Sequence, residues 1–122
     1  MNPRSVAHLY AFGRAVIGAA LIAGPERAGA PWLGRAARRP AAQVGLTALG
    51  ARDVGIGLGA AWALREGSGV RPWLLAAAAA DATDLAATIR HRHALPTAGV
   101  VGIGAMAAGG AALGLWLRSA ID

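Results

Sequence analysis

Four long apolar stretches dominate the pattern of hydrophobic and polar positions, and short segments rich in Pro, Gly and Arg separate them. Each stretch is close to the roughly 20 residues that a helix needs to cross about 30 Å of hydrocarbon. Backbone groups in lipid must be satisfied within their own segment, so such spans form helices. The pattern therefore predicts an all-α polytopic membrane protein, a single domain (1–122) with four transmembrane helices in an antiparallel bundle. The predicted helices cover residues 6–24, 42–64, 72–89 and 97–117.

Proline and glycine mark the ends of these predicted helices. Gly24 and Pro25 stop the first helix, and Pro40 precedes the second. Pro72 and Pro96 open the third and fourth, because proline is favoured in the first turn, where its missing N–H costs nothing.

Two other interpretations of the same pattern stay open. A soluble Ala-rich helical bundle has similar periodicity, although residues 97–117 carry no charge over 21 positions, which a soluble helix seldom tolerates. Arg14, the apolar run 15–24 and the Ala-Gly-Ala at 28–30 have the order of a signal peptide. Composition favours the membrane interpretation, because only 15% of the chain is charged, against about 25% in soluble domains.

The number of basic residues differs between the two ends of the predicted bundle. The net charge is +6, and every basic residue other than histidine is Arg. These arginines lie at the ends of the apolar stretches rather than on one face, a pattern that fits topology and lipid headgroups better than nucleic acid. Segments 24–41 and 90–96 hold six of them, whereas the termini and segment 65–71 hold four. The bias predicts that both termini lie on the outer side of the membrane. The absence of Cys excludes thiolate metal sites, and no metal or cofactor is predicted.

Five charges near the middle of the predicted spans carry the candidate chemistry. They are Arg14, Arg52, Asp53, Asp81 and Asp84. An isolated charge at that depth costs roughly 2.5 kcal/mol or more, so we expect the five to face the bundle interior and pair. Two arginines against three aspartates leave one excess negative charge, which a proton, a cation or a partner's basic residue would neutralise.

Two further groups of residues have predicted contacts. Gly55 with Gly59, and Gly110 with Gly114, are small residues four apart, the spacing that lets transmembrane helices approach closely. In segment 24–41, residues 31–39 are predicted either as a short interfacial helix or as an ordinary basic loop that sets topology. The residues expected at lipid headgroups there are Trp32, Arg35, Arg38 and Arg39.

The leading hypothesis is a non-enzymatic integral membrane protein whose Arg/Asp network holds the bundle. It would act as a homo-oligomer or as an accessory subunit of a larger membrane protein, in contact with membrane lipid and not with nucleic acid. A second hypothesis is a small proton, cation or solute transporter that uses Asp81 and Asp84. A third is a membrane lipid-modifying enzyme, because Asp81-x-x-Asp84 resembles the Asp-rich motifs that hold a divalent metal in prenyl- and phosphatidyltransferases.

Three short motifs carry a resemblance to a known family. They are Gly13-Arg14 in the first predicted helix, Gly50-Ala51-Arg52-Asp53 in the second and Asp81-x-x-Asp84 in the third. With them, the chain resembles the uncharacterised small four-helix integral membrane proteins of high-GC bacteria. The resemblance implies the fold and a bacterial inner (plasma) membrane, and it brings no activity.

Overall fold

Five α-helices make up the structure, a computed structural model that describes residues 1–121. We number them α1 (Pro3–Ala23), α2 (Pro25–Leu33), α3 (Pro40–Glu66), α4 (Val70–Arg90) and α5 (Thr97–Ala120). Short 3-10 segments lie at Gly34–Arg38 and Arg92–Ala94, and residues 1–121 contain no strand. The all-α prediction is confirmed.

The four predicted spans correspond to α1, α3, α4 and α5, and each helix begins or ends up to three residues beyond the predicted bounds. At the start of α1, the Asn2 side chain accepts a hydrogen bond from the Ser5 amide at 2.9 Å, which satisfies one of the free N–H groups of the first turn. Gly67, in the left-handed region at φ 77°, ends α3.

Segment 24–41 differs from the prediction. An α-helix covers Pro25–Leu33, and most of 31–39, for which the sequence leaves both a short helix and a loop open, is 3-10. Pro25 and Glu26 favour the first turn of α2, since proline fits that position and a carboxylate complements the helix dipole. Gly34 has a φ of 61°, a left-handed conformation that an α-helix cannot contain, so α2 ends there.

The long helices pack as two close pairs, α1 with α3 and α4 with α5, and contacts between α3 and α4 join the pairs. Within each pair the helices run antiparallel, because later residues of one helix contact earlier residues of the other. Gly18 meets Gly50 and Ala11 meets Gly57 in the first pair, and Gly104 meets Leu85 and Gly114 meets Leu74 in the second. Few contacts join α1 to α5, and this side of the molecule stays open.

Glycine determines how closely α1 and α3 approach. A Cβ added to Gly18 would lie 2.5 Å from the Gly50 carbonyl oxygen, and one added to Gly57 would lie 2.6 Å from the Ala11 carbonyl oxygen. The two backbones are therefore in direct contact. Gly55 does not make its predicted helix contact: it is exposed, with nothing within 4 Å of an added Cβ, because α3 turns the face of Gly50 and Gly57 toward α1.

The other predicted packing glycines do face neighbouring helices. Gly59 lies against the ring of Trp73 on α4. Gly110 leaves room for the carboxylate of Asp81, and an added Cβ at Gly114 would lie 3.0 Å from the Tyr10 hydroxyl.

Large apolar side chains point outward from all four long helices. Examples are Phe12 (67% exposed) on α1, Leu58 (59%) on α3, Leu75 (46%) on α4 and Val101 (65%) on α5. The buried set, in contrast, includes charged residues and is otherwise rich in alanine. Leucine, valine and isoleucine are also buried, so the unusual features are the buried charges and the number of large apolar side chains on the surface.

The α1–α3 contact makes a prediction with a matched control on one helix. We expect Gly57→Ala to lower the free energy of unfolding by about 1–3 kcal/mol, because the methyl group must push two backbones apart. We expect Gly55→Ala to leave it unchanged or to raise it by up to about 1 kcal/mol, since alanine is the better helix former. Unfolding of both variants in mixed micelles with increasing sodium dodecyl sulfate measures the difference, and equal effects would contradict the assigned contact.

Candidate functional site: a charged floor beneath an apolar cleft

Arg14 lies at the centre of the charge network. It comes from the middle of α1, its side chain is 7% exposed, and its Nη1 lies 2.9 Å from Asp53 Oδ1 on α3. Its Nη2 pairs with Asp81 Oδ2 on α4. One guanidinium therefore connects three helices through charge-assisted hydrogen bonds, which are among the stronger polar contacts in proteins.

Arg52 completes the network on the α3–α4 side. Its Nη1 and Nη2 lie 3.0 and 2.8 Å from the two carboxylate oxygens of Asp84, a bidentate pair. Its Nε donates to Asp53 Oδ1 at 3.1 Å, so Asp53 shares one oxygen between the two arginines. The structure thus brings all five predicted charges together, in the order Asp81, Arg14, Asp53, Arg52, Asp84.

Tyr10 belongs to this network, although the sequence does not single it out. Its hydroxyl lies 3.0 Å from both Asp81 Oδ2 and the Gly110 carbonyl oxygen, and its single proton serves one acceptor at a time. The Arg14 guanidinium lies 5.5 Å from the centroid of its ring. Tyr10 precedes Arg14 by four residues and so lies on the same helix face, which is the signal that could have identified it.

A cleft of about 400 Å³ opens between α1 and α5 above this network. Its walls are apolar and include Leu9 and Ile17 from α1 and Ile103 and Met106 from α5. Its floor is ionic and consists of Tyr10, Arg14, Asp53, Asp81 and Asp84. The cleft exists because α1 and α5 each pack closely on another helix and hardly on each other.

Trp32 lines the cleft, and its predicted contact with lipid headgroups stays a prediction. Its Nε1 donates to Thr88 Oγ1 at 3.0 Å, and the Thr88 hydroxyl donates to the Asp84 carbonyl oxygen at 2.7 Å. The indole is half-buried and lines the cleft. The backbone carbonyl oxygen of Trp32 packs directly on Gly99 of α5. This contact holds α2 against α5 and places the Trp32 side chain at the cleft.

The three arginines that follow Trp32 lie on the surface. Arg35, Arg38 and Arg39 are exposed, and Arg38 Nε lies 3.4 Å from Glu26 Oε1 in an ion pair that is open to solvent. Their predicted contact with lipid headgroups stays a prediction.

The network arrangement disfavours a metal site built on Asp81 and Asp84. Asp84 presents both oxygens to Arg52, and Asp81 pairs with Arg14. Within residues 1–121, no three His, Cys, Asp or Glu side chains converge as a metal would require.

Comparison of the chain with protein-family models, with curated proteins and with solved structures gives no match. The resemblance to small four-helix bacterial membrane proteins therefore stays a prediction, and the function must be argued from the geometry of the site.

The network predicts a large penalty for removing Arg14. We expect Arg14→Gln to lower the free energy of unfolding by about 3–5 kcal/mol, because Asp81 then lies buried without a cation. Adding Asp81→Asn to that variant should recover part of the loss, since it removes the unpaired charge.

Arg38→Gln is the control for this experiment, because it also removes one arginine from an ion pair, but at an exposed site. We expect it to change stability by about 1 kcal/mol or less. An Arg14→Gln variant as stable as Arg38→Gln would contradict a structural role for the buried network.

Proposed function

We propose that this chain is an integral membrane protein that crosses the bilayer with α1, α3, α4 and α5 and binds an amphiphilic molecule in the cleft between α1 and α5. The observation that carries the proposal is the composition of the cleft, which has two apolar walls above an ionic floor. Such a site suits a molecule with an alkyl chain and one polar end.

The distribution of side chains supports a membrane location. Two helices, α1 and α5, are long and apolar enough to cross a membrane. α3 and α4 carry four of the five network charges. All four are in ion pairs, Asp53 and Asp81 are buried and Arg52 and Asp84 are partly buried, while large apolar side chains face outward. Paired charges facing the interior are the form in which ionisable residues occur within transmembrane segments.

The size and position of the cleft support an amphiphilic ligand. Its volume, about 400 Å³, lies within the range of roughly 300–1,000 Å³ typical of small-molecule sites. Leu9 and Leu21 mark its extent along α1, which corresponds to about 18 Å at 1.5 Å per residue. In a bilayer, an opening between the two most apolar helices would admit a molecule directly from the hydrocarbon.

Transport is a second candidate function, because Asp81 and Asp84, the residues predicted to serve a transporter, both line the cleft. An oligomer and an accessory role beside a larger membrane protein stay predictions. The lipid-modifying enzyme has no support in the geometry, since Arg14 and Arg52 engage its two carboxylates.

Membrane topology can be tested with single cysteines, because the chain has none of its own. We expect cysteines at Ser5, Ser68 and Ser119 to react with a membrane-impermeant maleimide from outside intact cells. Cysteines at Ala30 and Ala94 should react only after permeabilisation. If cysteines at Ser68 and Ala94 react from the same side, the four-span topology is wrong. If every cysteine reacts from the side opposite to the one predicted, only the predicted orientation is wrong.

Ligand binding can be tested with three photoreactive dodecyl probes that share a diazirine-bearing tail and differ in head group: ammonium, hydroxyl or sulfate. In nanodiscs, at least one probe should label Ile17 and Met106 in the cleft, and this labelling should reach a maximum as the probe concentration rises. Gly13→Phe should abolish this labelling, because Gly13 lines the cleft with space around it.

Gly102→Phe is the matched control, since Gly102 also has nothing within 4 Å but lies outside the cleft lining. It should leave cleft labelling unchanged. Non-saturable labelling of outward residues such as Leu58 reports the bilayer background. The absence of saturable cleft labelling by all three probes would overturn the proposed function.

A further inference from the structure

We propose that the polar end of the bound molecule is a single positive charge, and that the ligand is a lipophilic amine whose ammonium group binds at Asp81 and Asp53. This inference rests on the proposed function and names the ligand class of the same cleft.

The charged groups of the floor are unequal in number. Three carboxylates (Asp53, Asp81 and Asp84) share two guanidiniums (Arg14 and Arg52). With all five groups ionised, the network keeps one negative charge. A univalent cation in the cleft would neutralise it, whereas an anionic head group would double the imbalance, at a cost that grows as the effective dielectric constant of the site falls.

The hydrogen bonds locate the surplus charge. Both oxygens of Asp84 accept from Arg52. Asp53 accepts from both arginines through Oδ1, and Asp81 receives Arg14 and Tyr10 at Oδ2. Within the described residues, Asp53 Oδ2 and Asp81 Oδ1 accept no hydrogen bond.

These two oxygens are available to a ligand. Their side chains are only 10% and 13% exposed, yet neither oxygen is fully buried, and both residues line the cleft. An ionised carboxylate only accepts hydrogen bonds, so the complementary group is a donor. An ammonium group supplies both the donors and the missing positive charge.

The depth of the floor restricts the ligand further. Arg14 lies 11 residues after Pro3 and nine before Ala23, which places it about 14–17 Å from either end of α1. A bilayer phospholipid keeps its head group at the membrane surface and cannot deliver it to that depth. An amine on an alkyl chain can reach that depth, because its head group is small and its one positive charge is paired there by the carboxylates of Asp53 and Asp81.

The three dodecyl probes test this inference in nanodiscs of neutral lipid. In the wild-type protein, we expect half-maximal cleft labelling by the ammonium probe at a concentration at least about tenfold lower than by the alcohol, the factor expected for one added charge-assisted hydrogen bond. The sulfate probe should label the cleft less well than the alcohol.

Asp81→Asn should abolish the preference for ammonium over alcohol. The network then has two carboxylates and two guanidiniums, so its net charge is zero and no surplus negative charge attracts the ammonium. Glu66→Gln removes one negative charge from an exposed position at the end of α3 and should keep the preference. Should Asp81→Asn fail to fold, Asp53→Asn removes the same surplus charge and has the same expected effect.

The outcomes separate the two proposals. Equal cleft labelling by ammonium and alcohol would overturn the inference while leaving the binding cleft in place. A preference for sulfate, or an ammonium preference that survives both Asp variants, would also overturn it. Absence of labelling by every probe would overturn the proposed function itself.

Discussion

The ion pairs of Arg14 with Asp53 and Asp81 are the interaction on which the remaining structure depends. A guanidinium buried in the middle of α1 must have carboxylates within reach, and those carboxylates come from α3 and α4. This requirement fixes the rotation of three helices at once. In the same rotation, Gly18, Gly50 and Gly57 bring the backbones of α1 and α3 into direct contact.

The open cleft follows from the same constraint. Because α1 is held against α3 and turns Tyr10 and Arg14 toward α4, α5 meets the network through Gly110 rather than through a large side chain. Asp81 fills the space beside Gly110, and α1 and α5 stay apart. A network that serves stability therefore also forms the polar floor of a cleft. The proposed structural and ligand-binding roles share the same residues, which is why the charge-balancing Asp81→Asn separates them better than a variant that leaves a charge unpaired.

Hydropathy predicts the four long helices because their length and ends are local properties of the chain. The five residues of the charge network are also predictable, because charged side chains at the same depth in apolar helices have few partners other than one another. The sequence predicts the packing glycines only in part. Gly59, Gly110 and Gly114 face neighbouring helices, but spacing alone does not distinguish the exposed Gly55 from Gly57, which contacts α1. The inward position of Trp32 depends on where α2 docks against Gly99, a tertiary contact without a local signal. The cleft itself depends on the distance between α1 and α5, which no periodicity encodes.

The most direct test is an experimental structure of the protein in a nanodisc formed by direct extraction from its own membrane. The account predicts elongated non-protein density between α1 and α5, with one end within hydrogen-bond distance of Asp81 and the rest along Ile17 and Met106. A structure in which α1 and α5 pack on each other and leave no space above the Arg/Asp network would contradict it.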